Sequence, residues 1–316
     1  RKIISNNGFK NSKFYYIFPE YKAPNIIYTA NHNITLEDIT RNFELNEENE
    51  INSFTENEVL NEIIKEDKSK IKFFANSFLV EVSNNDISSK VNYVTFTNYR
   101  NESCQIQTII DDKKVVKRAI NSKAIAHIKN IINNMKYFPK ENVKLLDRVK
   151  DEETIESDFV EGIRLDEKIA NSQNLEEEFD KYKELIFQNT LKFTDIKKED
   201  LLELFDNYDI ELLKELNFIE YAFVDMIPKN CFIVNNENCF FDQEWMLKFV
   251  PVEYILYRAI VNTSNIDTER IIKYYNLNKF LNLFNDLEIY FRDTVIDKNI
   301  LLNIFNRRNE NKINIA

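Results

Sequence analysis

Apolar residues keep two different rhythms along this chain. In roughly the first half they come in short, strand-like runs bounded by turn residues, with period 2 where one face is buried. Such runs predict strands over 9–18, 72–82 (KFFANSFLVEV), 91–97, 104–110, 114–120, 143–149 and 154–160. Pro19 and Pro24 read as breaks after the first run, and Asp111-Asp112-Lys113 reads as a tight turn. The polar, acidic stretch 31–57 reads as loop with short helix, and 57–65 as a helix. One amphipathic helix is predicted over 122–135, with Ala124, Ile128, Ile131 and Ile132 on one face. After a turn at Glu161-Gly162 the period changes to 3.6. Helices are predicted over 175–192, 199–206, 209–222, 251–263, 268–276, 278–293 and 298–307, interrupted only by a strand pair at 231–234 and 239–242. Strands first and helices afterwards predict an α+β protein, a small sheet lobe joined near residue 162 to a larger helical lobe. The amphipathic stretch 278–305 is expected to pack within the helical lobe, with a self-association helix as the alternative. There is no internal repeat.

Composition narrows the function classes. The chain has 316 residues, 43% hydrophobic and 30% charged, enough for two domains with a real core. A net charge of −11 argues against nucleic acid and against anionic lipid as partners. No run approaches the about 18 apolar residues of a membrane helix, and no signal-peptide pattern opens the chain, so a cytoplasmic protein is expected. The start at Arg1 leaves a longer natural protein open. Three cysteines, Cys104, Cys231 and Cys239, lack metal-type spacing. A hairpin through 235–238 would set Val234 opposite Cys239, so a disulfide with Cys231 is not expected. His127 falls in the amphipathic helix, as a packed or surface imidazole. The two glycines, Gly8 and Gly162, are too few for a Walker A loop, a dinucleotide fingerprint or a Gly-rich methyl-donor loop.

The chemistry concentrates between Tyr221 and Trp245. Asp225-Met-Ile-Pro228-Lys-Asn230 reads D-x-x-P-x-N, followed by a hairpin and then Asp242-Gln243-Glu244-Trp245. Two carboxylates and a carboxamide at these offsets suit phosphoryl transfer: Asp225 to take the acceptor's proton, Asn230 and Asp242 to hold Mg²⁺. Taken singly, each also has a plain reading: Asp225, Pro228 and Asn230 as a helix end and turn, Asp242 as a cap after Phe241. Upstream, Lys117 shares a strand face with Val115 and Ala119, so Val115 could line an adenine pocket while Lys117 reaches phosphate. Alone, Lys117 reads as a surface lysine.

These residues resemble the catalytic loop, D-F-G aspartate and third-strand lysine of the protein-kinase-like superfamily. Phe223-Val224 stands where protein kinases have His-Arg, and the path from Asp242 to Pro251 is too short for a long activation segment. The likeness is therefore closer to bacterial kinases of sugars, aminoglycosides and lipopolysaccharide. Further stretches look like bacterial methyltransferase–kinase fusion proteins of surface-polysaccharide (O-antigen or capsule) synthesis. Gly8-Phe9, Phe14-Tyr15-Tyr16, Pro19-Glu20-Tyr21-Lys22, Pro24 and 74–80 resemble the end of a class I methyltransferase domain. The resemblance covers about 8–30 and 71–260. It implies a protein-kinase-like two-lobed fold with an N-terminal strand pair from a methyltransferase tail: a methyltransferase remnant or linker over 1–85, a kinase-like N-lobe over 86–162 and a helical C-lobe over 163–316. It implies a phosphotransferase using ATP and Mg²⁺ on a sugar or glycan hydroxyl. Asp225 would be catalytic, Asn230 and Asp242 would be metal ligands, and Lys117, Arg100, Val115, Glu161 and Gly162 would meet the nucleotide. S-adenosylmethionine enters only with an upstream methyltransferase domain; that domain, or a glycosyltransferase, is an implied partner. One departure matters. No acid occurs between Asn121 and Tyr137, where the family's helix carries the lysine's glutamate. Lys117 is left with Glu141 or Asp242 as candidate partners, or the helix is displaced. The alternative is a pseudokinase, or a scaffold segment of a methyltransferase whose methyl transfer resides upstream of Arg1.

Overall fold

The computed structural model describes residues 2–32, 34, 38, 62–63, 65–75 and 77–296. The chain divides into two compact units, one comprising 1–127 with 295–316, the other 128–294. The segment 86–162 contributes to both.

The first unit opens with a short helix α1 (Lys2–Asn6), and its largest described element is a sheet of β1 (Asn11–Glu20), β2 (Ala23–Thr29), β3 (Ser77–Ser83), β4 (Tyr93–Phe96), β5 (Ile106–Ile110) and β6 (Lys114–Ala119), in the order β3-β1-β2-β4-β5-β6. Pro19 and Pro24 do not break the pattern: they lie opposite each other at the closed end of the β1–β2 hairpin. Neighbouring strands bond only at 11–17 of β1 and 26–28 of β2, so the prolines' missing donors are not needed there. The strand expected over 72–82 begins only at Ser77, because Lys68–Phe73 winds into a 3₁₀ turn capped by Asp67 and buries Ile71. Asp111 makes the expected turn, its Oδ1 accepting the N–H groups of Lys113 and Lys114, both at 2.7 Å. Phe18, Ile26, Tyr28, Ile34, Ile71 and Tyr93 form this unit's small apolar cluster. The stretch 39–57 and the helix expected over 298–307 lie outside the described residues, as does most of that expected over 57–65.

The predicted amphipathic helix is α2 (Ile125–Asn134), entered through a 3₁₀ turn whose cap, Asn121, accepts from the N–H of Ala124. Ala124, His127, Ile128 and Ile131 are buried.

In the second unit the run 143–149 splits into β7 (Val143–Leu145) and β8 (Arg148–Asp151), and β8 forms a hairpin with β9 (Thr154–Asp158). A four-stranded sheet runs β10 (Ile163–Arg164), β13 (Cys231–Val234), β14 (Glu237–Phe240), β7. A three-stranded sheet, β11 (Leu191–Lys192), β12 (Asn217–Phe223) and β15 (Met246–Pro251), was not expected at all. Thus 209–222 is a short helix, α5 (Ile210–Lys214), followed by a strand, and 199–206 holds only 3₁₀ turns. The reason is burial on both faces. Phe218 and Ala222 are buried on one face of β12 and Phe223 on the other, with Ile219 and Tyr221 half-buried, so the strand shows no clean alternation and its spacing mimics a helix. Helix α3 (Leu165–Ala170) follows just after the predicted turn, α4 (Leu175–Ile186), α6 (Val252–Val261) and α7 (Thr268–Tyr274) fall within predicted stretches, and α8 (Leu281–Val295) overruns its predicted stretch at the C-terminal end. Leu283, Phe284 and Leu287 carry α8 into one large core with α4, α6 and β12. The α+β class expected from the sequence holds.

Glycine scarcity is met by asparagine. Among the described residues, six of the eight non-glycine positions with positive φ are Asn, including Asn235 (φ 51°) and Asn236 (φ 65°). These two make the mirror-image turn joining β13 to β14, which glycine usually supplies. The hairpin therefore closes tighter than predicted. Phe232, not Val234, faces Cys239, while Cys231 faces Phe240. All three cysteines are free. Burial pushes the Cys231 thiol up to about 12.

Candidate functional site

Asp225 lies just beyond β12, not beyond a helix. The N–H of Val224 bonds to the carbonyl of Trp245 (3.1 Å), continuing the β12–β15 ladder to the edge of the loop. The chain then turns, with Met226 N–H to Phe223 O at 3.0 Å and a 3₁₀ turn at Pro228–Asn230. Pro228 is buried, and its fixed φ stiffens this turn. From there β13 and β14 run out and back, returning the chain to the loop at Phe241.

Three hydrogen bonds gather the predicted residues. The side-chain amide of Asn230 donates to the Asp225 carbonyl at 3.0 Å, and that of Gln243 to the same oxygen at 2.8 Å. The N–H of Phe241 donates to the Asn230 carbonyl at 3.0 Å, setting Asp242 beside Asn230. Asp242 adopts φ 60°, a left-handed conformation that Asp tolerates better than most residues and that costs about 1–3 kcal/mol where it is held. It is held there by its own N–H, which donates to Asp147 Oδ2 at 2.9 Å.

Asp225 also meets a buried cation. Arg258 of α6 is 8% exposed and donates to Asp225 Oδ1 (3.2 Å), the Val224 carbonyl (2.8 Å) and Glu288 Oε1 (2.5 Å). Burial pulls the guanidinium pKa down, but Asp225, then Tyr254 and Glu288, more than offset this, so it stays above the ordinary arginine value. At the opposite end of β12, Glu253 accepts from both the backbone and side-chain nitrogens of Asn217 and so fixes the start of the strand.

The donor set suits Mg²⁺. Asn230's amide nitrogen is engaged with Asp225, which leaves its oxygen as the atom for a hard cation, and Asp242 adds a carboxylate. Among the described residues no cluster of three or more His, Cys, Asp or Glu could hold a metal. The remaining ligands of an octahedral ion would come from phosphate and water, as is usual for Mg²⁺.

The other predicted residues are placed as follows. Glu161 and Gly162 are exposed beside β10, and a Cβ at Gly162 would stand 3.2 Å from the Ile233 carbonyl, a tight contact from which that carbonyl would have to give. In the first unit, Lys117 faces Thr108 across β5–β6 and is 6% exposed, which rules out the plain surface reading. Val115, on the same face, is half-buried. Arg100 is half-buried, paired by a β-bridge to Ile296, with its carbonyl accepting from Gln105. Reasoning from sequence missed Gln243, Asp147, Arg258 and Glu288. Only Gln243 lay inside the motif; the others reach the site through the fold.

No protein-family profile matches the chain, and neither does any curated protein. Several solved structures share a weak likeness. ADP-bound aminoglycoside phosphotransferase APH(2'')-Ib is 11% identical, with TM-score 0.40, over 62% of this chain and 80% of that one. The gentamicin complex of APH(2'')-IIa is 12% identical, with TM-score 0.39, over 68% and 90%. Spectinomycin phosphotransferase APH(9)-Ia, bound to ADP and spectinomycin, is 9% identical, with TM-score 0.29, over 65% and 83%. At that level the assignment of chemistry is left to the site's own residues.

Proposed function

We propose that the protein is a kinase-like enzyme that transfers the γ-phosphoryl group of ATP, with Mg²⁺, to a sugar or glycan hydroxyl in surface-polysaccharide synthesis. The observation that carries this reading is the joining of Asp225, Asn230 and the turn at Asp242 through shared carbonyls. One carboxylate stands ready for a proton, and an amide with a second carboxylate stands beside it for a cation. In the proposed reaction the acceptor oxygen bonds to the γ-phosphorus, and the bond from that phosphorus to the β–γ bridging oxygen breaks. ADP leaves with the electron pair. The hydroxyl proton passes to the Asp225 carboxylate and then to solvent. Bound by Asn230 and Asp242, Mg²⁺ would neutralise charge on the phosphates. The proposal gives Lys117 and Arg100 the phosphates, and Val115 with the backbone at Glu161 and Gly162 the adenine. Positioning and charge neutralisation would supply most of the rate.

One observation favours a second reading. α2 carries no acid, where the resemblance implies a glutamate, and that departure suits a nucleotide-binding scaffold without turnover. A single experiment separates the two. Melting is followed with ATP and Mg²⁺, and phosphate transfer to a panel of hexoses is measured for wild type and Asp225→Asn. An enzyme shows a raised melting temperature in both proteins and transfer that falls about 10²–10⁴-fold in the variant. A thermal shift without transfer in wild type selects the scaffold. Absence of any shift sinks both readings, and transfer that survives Asp225→Asn removes Asp225 from its role.

A further inference from the structure

α6 is an apolar helix with an arginine inside it. Val252, Tyr254, Ile255, Leu256, Ala259 and Ile260 are buried, and Arg258 is buried among them at 8% exposure. A buried cation is costly unless its donors are met with good geometry. Here they are. The edge formed by Nε and Nη2 spans two successive residues of the site loop, the Val224 carbonyl at 2.8 Å and Asp225 Oδ1 at 3.2 Å. At the other end Nη1 donates to Glu288 Oε1 at 2.5 Å. One turn further along α8, the ring of Phe291 lies 5.1 Å from the guanidinium carbon. Three acceptors and a ring leave the side chain one orientation.

We infer that Arg258 is the positioning residue for Asp225, with Glu288 and Phe291 of α8 fixing Arg258 in turn. This rests on the phosphotransfer reading above. Arg258 grips the carbonyl before Asp225 and the carboxylate of Asp225 with one rigid edge, so it sets both the path of the loop and the side-chain rotamer. Charge alone would not do this. A lysine brings one nitrogen and no planar fork, so it cannot meet the three acceptors in their arrangement. A purely structural ion pair predicts something different: its loss would lower the amount of folded protein and leave the folded fraction with full turnover.

The test is steady-state turnover of Mg²⁺–ATP, with water or a free hexose as acceptor, in wild type, Arg258→Lys and Glu288→Gln. Melting temperatures are measured alongside. Misplacing a reacting group by about 1 Å can cost about 10²-fold. We expect Arg258→Lys to lower kcat by that order while KM for ATP stays within about twofold, the pattern of a residue that acts on the reacting geometry and not on nucleotide binding. Glu288→Gln keeps the buried cation and its hold on Asp225 but loosens its anchor; kcat should fall about threefold to tenfold, again with KM unchanged. If Arg258→Lys does not fold, the Glu288→Gln split decides. Unchanged kcat in the folded variants overturns the inference, as does a loss of kcat that vanishes once activity is expressed per folded molecule. A wild type that turns over no ATP overturns the phosphotransfer reading itself, and that outcome differs from an active wild type with equally active variants.

Discussion

At the scale of single residues, the described site works by holding polar groups where the backbone would not put them unaided. Asp225 has its carbonyl capped by two amides and its carboxylate met by Arg258. Asp242 is kept left-handed by Asp147. Glu253, at the far end of β12 from Asp225, has a measurable consequence for stability. Burial raises its pKa, against the opposing hydrogen bonds from Asn217. A raised folded-state pKa means the folded protein binds that proton more tightly than the unfolded chain. The contribution is fully present below the unfolded value, about 4.3, and is lost as pH rises through the higher folded value. In Glu253→Gln this part of the pH dependence should disappear. Urea melts of both proteins at several pH values across that window would show it, and parallel curves would contradict it. These residues also mark how far the sequence could be read. The spacing from Asp225 to Asn230 to Asp242 was legible because it lies within one loop–hairpin–loop segment. Arg258 was not, because an arginine in an apolar stretch of helix gives no sign of which distant carboxylate it will meet.

At the scale of elements, the fold leans on asparagine where other proteins use glycine. The turn at Asn235 and Asn236 lets β13 and β14 pair tightly and so returns Asp242 to the loop at Asn230. Asn236→Val should destabilise the protein by about 1–2 kcal/mol, since a β-branched residue fits the left-handed region poorly. Asn236→Gly should cost nothing. Thermal melts of the two variants check this, and equal melting points would refute it. Gly162 is the complementary case. Gly162→Val would press a side chain on the Ile233 carbonyl and loosen β10 from β13, at about 1–3 kcal/mol. The hairpin was readable from its asparagines and the amphipathic helices from their period. β12 and β15 were not, because a short strand with buried residues on both faces shows an apolar spacing that a helix can equally present. That one ambiguity changed the account of Asp225, which projects from the end of a sheet and so has a more rigid root than a fraying helix end would give.

At the scale of the whole molecule, the two units differ in how much apolar surface they gather. The large cluster of the second unit joins α4, α6, α8 and β12, whereas the described cluster of the first is six residues deep in a sheet. β3, the sheet's outer strand, leaves Phe78 at 65% and Leu79 at 59% exposure. Native-state hydrogen exchange should be slowest in β12 and α6 and faster in the β1–β2 hairpin and β3. The reverse order would mean that buried apolar area does not govern local stability here. The net charge of −11 and the α+β class were fixed by composition and order alone; the units' boundary inside α2 was not, because contact and not chain order decides it.

Trp245 gives the site an optical property of its own. It is the chain's one tryptophan, three residues past Asp242, edge-on to Phe291 at 5.8 Å, with its carbonyl tied to Val224. Phe291 also lies over Arg258. Light absorbed selectively by indole is therefore re-emitted from one place, within a ring contact of the arginine that meets Asp225. The unlabelled protein carries its own fluorophore where a nucleotide titration most needs one, and a change in the colour or yield of that emission reads the surroundings of Asp225 directly.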